Sequence, residues 1–232
     1  MASKPKKPKK KHALSTRIWH WINVVSVTIL FMSGLNISNG HRRLYWGDWG
    51  FAAEHAWLEV PRFPGWATIP GHYSLATARD WHVVFAWVFA LGLLFFMVRA
   101  LWNGHFRRDL FTKLAEWSPK NVWHDIVEHL KLKFEHEGVK FNFLQKVAYS
   151  GVIFVVLPLM IFTGMVMSPG AEAAVPWLGD LLGGRQSARS IHFICAFALL
   201  AFFVVHIALV LLSGPIKQVR DMITGGRIDE EA

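Results

Sequence analysis

Four blocks of the chain carry apolar residues almost without a break: 18–38, 81–101, 144–167 and 190–212. Each is built from Val, Leu, Ile, Phe and Ala, and charge is almost absent from their interiors. A helix that crosses a hydrocarbon core needs about 20 such residues. In lipid, backbone polar groups must pair within the segment, so each block is predicted to be a helix. The fold expected is all-α, an integral membrane four-helix bundle. A fifth segment has a different rhythm. After Ser118-Pro119, Val122, Trp123, Ile126, Val127 and Leu130 recur at helical spacing, with Lys, Asp, Glu and His between them. That pattern predicts an amphipathic helix at the inner membrane interface, linking the second block to the third.

The composition agrees: 53% of residues are hydrophobic and the mean hydropathy is +0.30. The formal charge of +9 does not point to nucleic acid, because the Lys and Arg residues lie in the segments flanking the apolar blocks. Their distribution sets orientation instead. Residues 1–17, 102–143 and the tail after Leu212 hold seventeen Lys and Arg, whereas the other two connections hold six (Arg42, Arg43, Arg62, Arg79, Arg185 and Arg189). Both termini are therefore expected in the cytoplasm. The organisation that follows is a basic tail (1–17), a four-helix membrane domain (18–212) and a cytoplasmic tail (213–232). The first apolar block is too long for a signal-peptide core, so it reads as a retained anchor. The single cysteine, Cys195, cannot form an internal disulfide or build a zinc or iron–sulfur site.

The connection 39–80 is long for a compact bundle and carries Trp46, Trp49, Trp57 and Trp66 with Pro61, Pro64 and Pro70-Gly71. By the orientation above it lies outside and offers a platform for an external partner.

Four histidines fall in or at the edges of the apolar blocks: His20, His82, His192 and His206. Ionisable residues in a membrane are costly and usually functional. No Asp or Glu lies inside the blocks to partner them, and metal ligation accounts for neutral imidazoles in such a place. Their depths form two pairs, His20 with His206 on the inner side and His82 with His192 on the outer side. His192 and His206 are fourteen residues apart, which places them about 40° apart around the helix and roughly 21 Å along it. That spacing suits two large planar cofactors, one per leaflet, and is too long for one zinc ion. Arg17, Arg79 and Arg189 each precede a histidine by three residues. A guanidinium one turn nearer the water suits a haem propionate, and an interfacial arginine that snorkels suits the same spacing. Gly34, fourteen residues after His20, leaves room either for a porphyrin or for a neighbouring helix. The remaining histidines (12, 41, 55, 72, 105, 124, 129 and 136) read as solvated.

These residues resemble a known family. Arg17-Ile-Trp-His20-Trp-Ile-Asn23, Trp81-His82 and the two histidines fourteen apart on the last block look like the bacterial cytochrome b561 family. That family includes cytochrome b subunits of nickel–iron hydrogenases and formate dehydrogenases. Gly104-His105-Phe106-Arg107-Arg108-Asp109-Leu110, Ser187-Ala188-Arg189-Ser190-Ile191-His192 and Met222-Ile223-Thr224-Gly225 resemble the thiosulfate-reductase-type branch. The resemblance implies two bis-histidine haems b, held by His20 with His206 and by His82 with His192. It also implies a bacterial inner-membrane location. A quinone site near the inner haem is implied as well, from the stretch Asn142, Gln145 and Lys146, where Asn142 is equally suited to cap the third helix.

The function expected is electron transfer between a periplasmic redox subunit and membrane quinone. The family implies that the partner is a molybdopterin oxidoreductase, an iron–sulfur protein or a c-type haem protein, and that it carries the substrate-converting centre. One rival is a stand-alone quinone-reactive cytochrome b. A rival of another class is a small transporter or channel, for which the sequence offers only Pro158 as a break in a span.

Overall fold

The computed structural model describes residues 12–48, 50, 52–104, 106–131 and 142–226. Most of the basic N-terminal tail, Trp49, His105, Lys133, His136, Lys140 and Arg227 lie outside them. Among the described residues, four helices are long and apolar enough to cross a membrane: Leu14–Gly40, Leu75–Trp102, Phe143–Met167 and Arg185–Leu212. They are called the first to fourth spans below. The first is α1 and the second α2; α3 (Pro119–Leu130) is the amphipathic connector. The third span comprises α4 (Phe143–Gly151), a π turn (Val152–Val156) and α5 (Leu157–Met167). Two short helices, α6 (Pro169–Ala174) and α7 (Trp177–Leu181), lead into α8, the fourth span, and α9 (Pro215–Thr224) follows it.

Three of the helices run several residues past the apolar blocks that announce them. Hydropathy marks where lipid begins, whereas caps mark where a helix begins. The second span starts at Leu75 because the Ser74 hydroxyl accepts the Thr77 backbone N–H at 3.4 Å, satisfying an otherwise orphan donor. The fourth starts at Arg185 after Gly183 and Gly184, whose φ angles of 74° and 94° turn the chain into the helix. His82 and His192 therefore lie about two turns inside their helices. In the third span the irregularity is a π turn just before Pro158. Proline has no N–H to donate and its ring crowds the carbonyl four residues back, so a widened turn absorbs the misfit.

The first span packs along the second, and the third along the fourth. The main core joins Phe89, Leu93, Phe96 and Ala100 of the second span to Phe106, Leu110 and Leu157. Around it, α3 is fixed by Asp125, whose carboxylate accepts the Leu144 N–H at 2.8 Å. The first and last described residues meet on one side of the bundle: His12 N–H donates to the Gly225 carbonyl at 3.0 Å, and Arg17 Nε to that of Met222 at 3.3 Å. This side is the termini end and the opposite one the loop end.

At the loop end the long connection is bound down. Asn36, fully buried, donates to the carbonyls of Pro70 and His72 at 2.9 Å each and accepts the Ser74 N–H at 3.4 Å. Asn39 exchanges hydrogen bonds with the Phe63 backbone at 3.0 and 2.7 Å. A short antiparallel pair, β1 (Arg43–Leu44) and β2 (Leu58–Glu59), closes the loop on itself. From the fourth span, the Ser187 hydroxyl accepts the Gly47 N–H at 2.7 Å. Ser190 accepts from Trp57 Nε1 at 2.9 Å and donates to the Tyr45 carbonyl at 2.5 Å. Trp46 stacks on Trp57 with centroids 5.6 Å apart, and Trp66 is 85% exposed, so an aromatic surface stands on a fixed base.

His41 lies in this network, its carbonyl receiving the Arg189 guanidinium. Burial, then the charges of Arg189 and Arg79, push its pKa below the ordinary 6.5. A base with a depressed folded pKa is protonated first in the unfolded chain. The contribution is thus intact above pH about 6.5 and is lost as pH falls below that value. Thermal unfolding in detergent is expected to start earlier at pH 5.5 than at pH 7.5, with a smaller pH difference in His41→Gln. An unchanged difference in that variant would remove His41 as the cause.

Candidate functional site

All four membrane histidines come together in the pairs their depths suggest. The His20 and His206 rings are 6.4 Å apart between centroids, and the His82 and His192 rings 6.2 Å. The first pair joins the first and fourth spans near the termini end. The second joins the second and fourth spans near the loop end.

The separation has a chemical meaning. A metal–imidazole nitrogen bond is about 2.0–2.1 Å, and that nitrogen is about 1.1 Å from its ring centre. Two imidazoles on opposite sides of one metal ion therefore have centroids about 6.3 Å apart. Among the described residues no group of three or more His, Cys, Asp or Glu is placed to hold a metal ion. His20 with His206, and His82 with His192, would each offer two imidazole nitrogens to a haem iron. The residues present fit a haem at each level.

Surroundings differ between the levels. At the loop-end pair, the Ser33 hydroxyl is 3.0 Å from His82 Nδ1 and the Thr163 hydroxyl 2.9 Å from His192 Nδ1. The glycine after each hydroxyl faces the same ring. A Cβ on Gly34 would stand 3.5 Å from His82 Cε1, and one on Gly164 3.7 Å from His192 Cε1. Alanine fits there in van der Waals contact, and larger side chains reach the ring. Gly34 thus sits beside the loop-end pair, as its spacing from His20 suggests, although its near neighbour is an imidazole. At the termini-end pair, His20 Nδ1 is buried with no hydrogen-bond partner among the described residues. Trp21 meets that ring edge-on at 5.2 Å, Phe202 stacks on His206 at 6.0 Å, and Trp19 stacks on Phe96 at 4.0 Å.

The other singled-out residues are engaged as follows. Arg189 donates to the carbonyls of His41 and of Arg43, the latter at 2.7 Å, and so clamps the loop to the fourth span. Arg17 is on the Met222 carbonyl. Arg79 is exposed, one turn ahead of His82. Asn142 caps the third span: its side chain accepts the Gln145 N–H at 3.0 Å, and the Gln145 side chain accepts the Asn142 N–H at 3.4 Å. Lys146 pairs with Glu116 at 2.9 Å. The capping role of Asn142 is thereby realised. Glu116, Ser33 and Thr163 had not been singled out in the sequence. A usable signal for the last two was present: Ser33-Gly34 and Thr163-Gly164 repeat one pattern, a hydroxyl and then a glycine, inside two apolar spans.

Comparison with known proteins adds an independent finding. Residues 11–225 match the family described as prokaryotic cytochrome b561. A protein of Azospira oryzae, described as a putative protein-methionine-sulfoxide reductase subunit, is 30% identical over 84% of this chain and 87% of its own length. A probable Ni/Fe-hydrogenase B-type cytochrome subunit of Cupriavidus necator is 24% identical over 82% of this chain and 74% of its own. Its counterpart in Azotobacter vinelandii is 24% identical over 83% and 76%. With four apolar helices of spanning length and a family match over nearly all its residues, this chain belongs to the prokaryotic cytochrome b561 family and is a membrane b-type cytochrome of electron transport.

Proposed function

We propose that this chain is the dihaem cytochrome b subunit of a quinone-linked oxidoreductase, passing electrons between a periplasmic redox partner and the membrane quinone pool. The observation that carries the reading is the pair of imidazole gaps, 6.4 and 6.2 Å, at two depths of one bundle. His82 and His192 would hold the loop-end haem, and His20 and His206 the termini-end haem. When bound, haem supplies one-electron redox chemistry at each level. The residues around it do the rest. The apolar spans keep water and competing reactants away, the fourth span fixes the distance between levels, and the loop-end network presents a rigid face to a partner.

The charge distribution supports placing both termini in the cytoplasm of a bacterial inner-membrane protein. The loop end then faces the periplasm, where Trp46, Trp57 and Trp66 are exposed. Aromatic residues on a fixed base suit protein docking. The relatives described as subunits of a hydrogenase and of a methionine sulfoxide reductase support a partner that carries the substrate-converting centre. A molybdopterin, iron–sulfur or c-type haem protein fits that part. Quinone binding is proposed at the start of the third span, where Gln145 and Lys146 offer donors to a quinone carbonyl. Arg17, Arg79 and Arg189 are proposed to face the propionates when haem is present.

The test is the reduced-minus-oxidised optical spectrum of the detergent-purified protein, with haem quantified per chain. A b-type spectrum with two haems per chain is expected. Well-folded protein with none would overturn the reading.

A further inference from the structure

The loop-end histidines share a device that the termini-end pair lacks among the described residues. Ser33 and Thr163 are both fully buried. Each hydroxyl lies close to the carbonyl four residues back on its own helix, Ser33 to Ile29 at 2.7 Å and Thr163 to Leu159 at 2.5 Å. Each also lies near the carbonyl three back, Leu30 at 3.1 Å and Met160 at 3.3 Å. A hydroxyl has one proton to give. In a helix that proton goes to the carbonyl four residues back. The oxygen is then left to accept, and the group facing it is the imidazole Nδ1 at 3.0 or 2.9 Å. Nδ1 must therefore carry the ring proton, which the Leu30 carbonyl beside His82 and the Met160 carbonyl beside His192 also attract, and Nε2 keeps its lone pair. The adjacent glycine removes the Cβ that would otherwise crowd the ring edge. The arrangement recurs on two different helix pairs, first with second and third with fourth.

We infer that Ser33 and Thr163 are positioning residues for the loop-end haem ligands, fixing the tautomer of His82 and His192 and lowering the reduction potential at that level alone. The inference rests on the proposed ligation by His82 and His192. Its physical basis is the hydrogen bond from Nδ1–H to an oxygen, which makes the imidazole a stronger electron donor through Nε2 and favours the oxidised metal. His20 Nδ1, buried without a partner among the described residues, gets no such help. The two levels are thus made unequal by the protein, with the hydroxyls on one side only.

The test uses Thr163→Val, which keeps the shape and removes the hydroxyl, Ser33→Ala, and the restoring control Thr163→Ser. Each is placed in the full chain and again in His20→Ala, which leaves only the loop-end haem. Haem per chain is counted first, and one haem in His20→Ala with none in His20→Ala, His82→Ala assigns the remaining haem to the loop-end pair independently of the hydroxyls. Midpoint potentials are then measured by spectroelectrochemical titration. Thr163→Val and Ser33→Ala are each expected to shift the loop-end equilibrium three- to tenfold toward reduction, a rise of about 30–60 mV for a one-electron couple. Thr163→Ser is expected to restore the original value, and the termini-end haem to stay where it was. Loss of the loop-end haem from Thr163→Val with retention in Thr163→Ser would still identify the hydroxyl as the positioning group. Loop-end potentials unchanged with both haems bound, or equal haem loss from Val and Ser, would overturn the inference.

Discussion

Replacing His192 with alanine is expected to take haem from two per chain to one, and replacing His82 is expected to give the same single-haem protein. The two side chains face each other across 6.2 Å and would hold one haem together, so the loss of either is expected to release it. His20→Ala and His206→Ala are expected to form a second matched set, across 6.4 Å. The double variants make the test sharp. Removing both members of one pair adds nothing to removing one, because the interaction is already gone. Removing one member of each pair, as in His82→Ala with His206→Ala, is expected to leave no haem. Pyridine haemochrome assay against protein concentration reads the result, and size-exclusion elution confirms that the bundle is intact. A His82→Ala, His206→Ala protein that kept one full haem would sink the pairing, since some other residue would then be a ligand.

Replacing Asn36 with alanine is expected to release the loop end from the bundle at a cost of about 2–4 kcal/mol, because buried polar groups left unpaired each cost about 1–3 kcal/mol. Three backbone partners depend on this one side chain: the carbonyls of Pro70 and His72 and the N–H of Ser74. The last belongs to the residue that caps the second span, so loosening it also loosens the helix that carries His82. Thermal unfolding in detergent is expected to shift down by several degrees, and limited proteolysis to cut within 41–74 before anywhere in the spans. Trp57→Phe, which removes the hydrogen bond to Ser190 and part of the stack on Trp46, is expected to cost about 1 kcal/mol or more. An Asn36→Ala protein as stable as the parent would show that water substitutes for the amide.

The spans and the histidine pairs were legible for a physical reason. Lipid forbids unpaired backbone and isolated charge, so long apolar runs and the few imidazoles inside them stand out. Helix geometry then turns the fourteen-residue step from His192 to His206 into depth and facing. Helix ends were less legible: Ser74 and Gly184 lie in polar sequence, where hydropathy says nothing. The partners of Asn36, Asn39 and Arg189 were out of reach, since loop carbonyls leave no trace in residue type. Ser33 and Thr163 are an intermediate case. Small hydroxyl residues in an apolar helix read as packing until the ring that faces them comes from another span. At Asn142 the sequence left a cap and a quinone donor open, and the structure builds the cap, while Lys146 is held by Glu116 across an interval that no local pattern reveals.

The fourth span supplies one histidine to each pair, and this makes it a shared axle. A slip of a single residue along that helix turns every side chain by about 100° and moves it about 1.5 Å. Both gaps would then open at once, on opposite sides of the membrane, though the fault lay in one place. Between His192 and His206 the chain therefore has no freedom of length. A residue added to a surface loop is absorbed locally, whereas one added there breaks the phase between two sites that never touch.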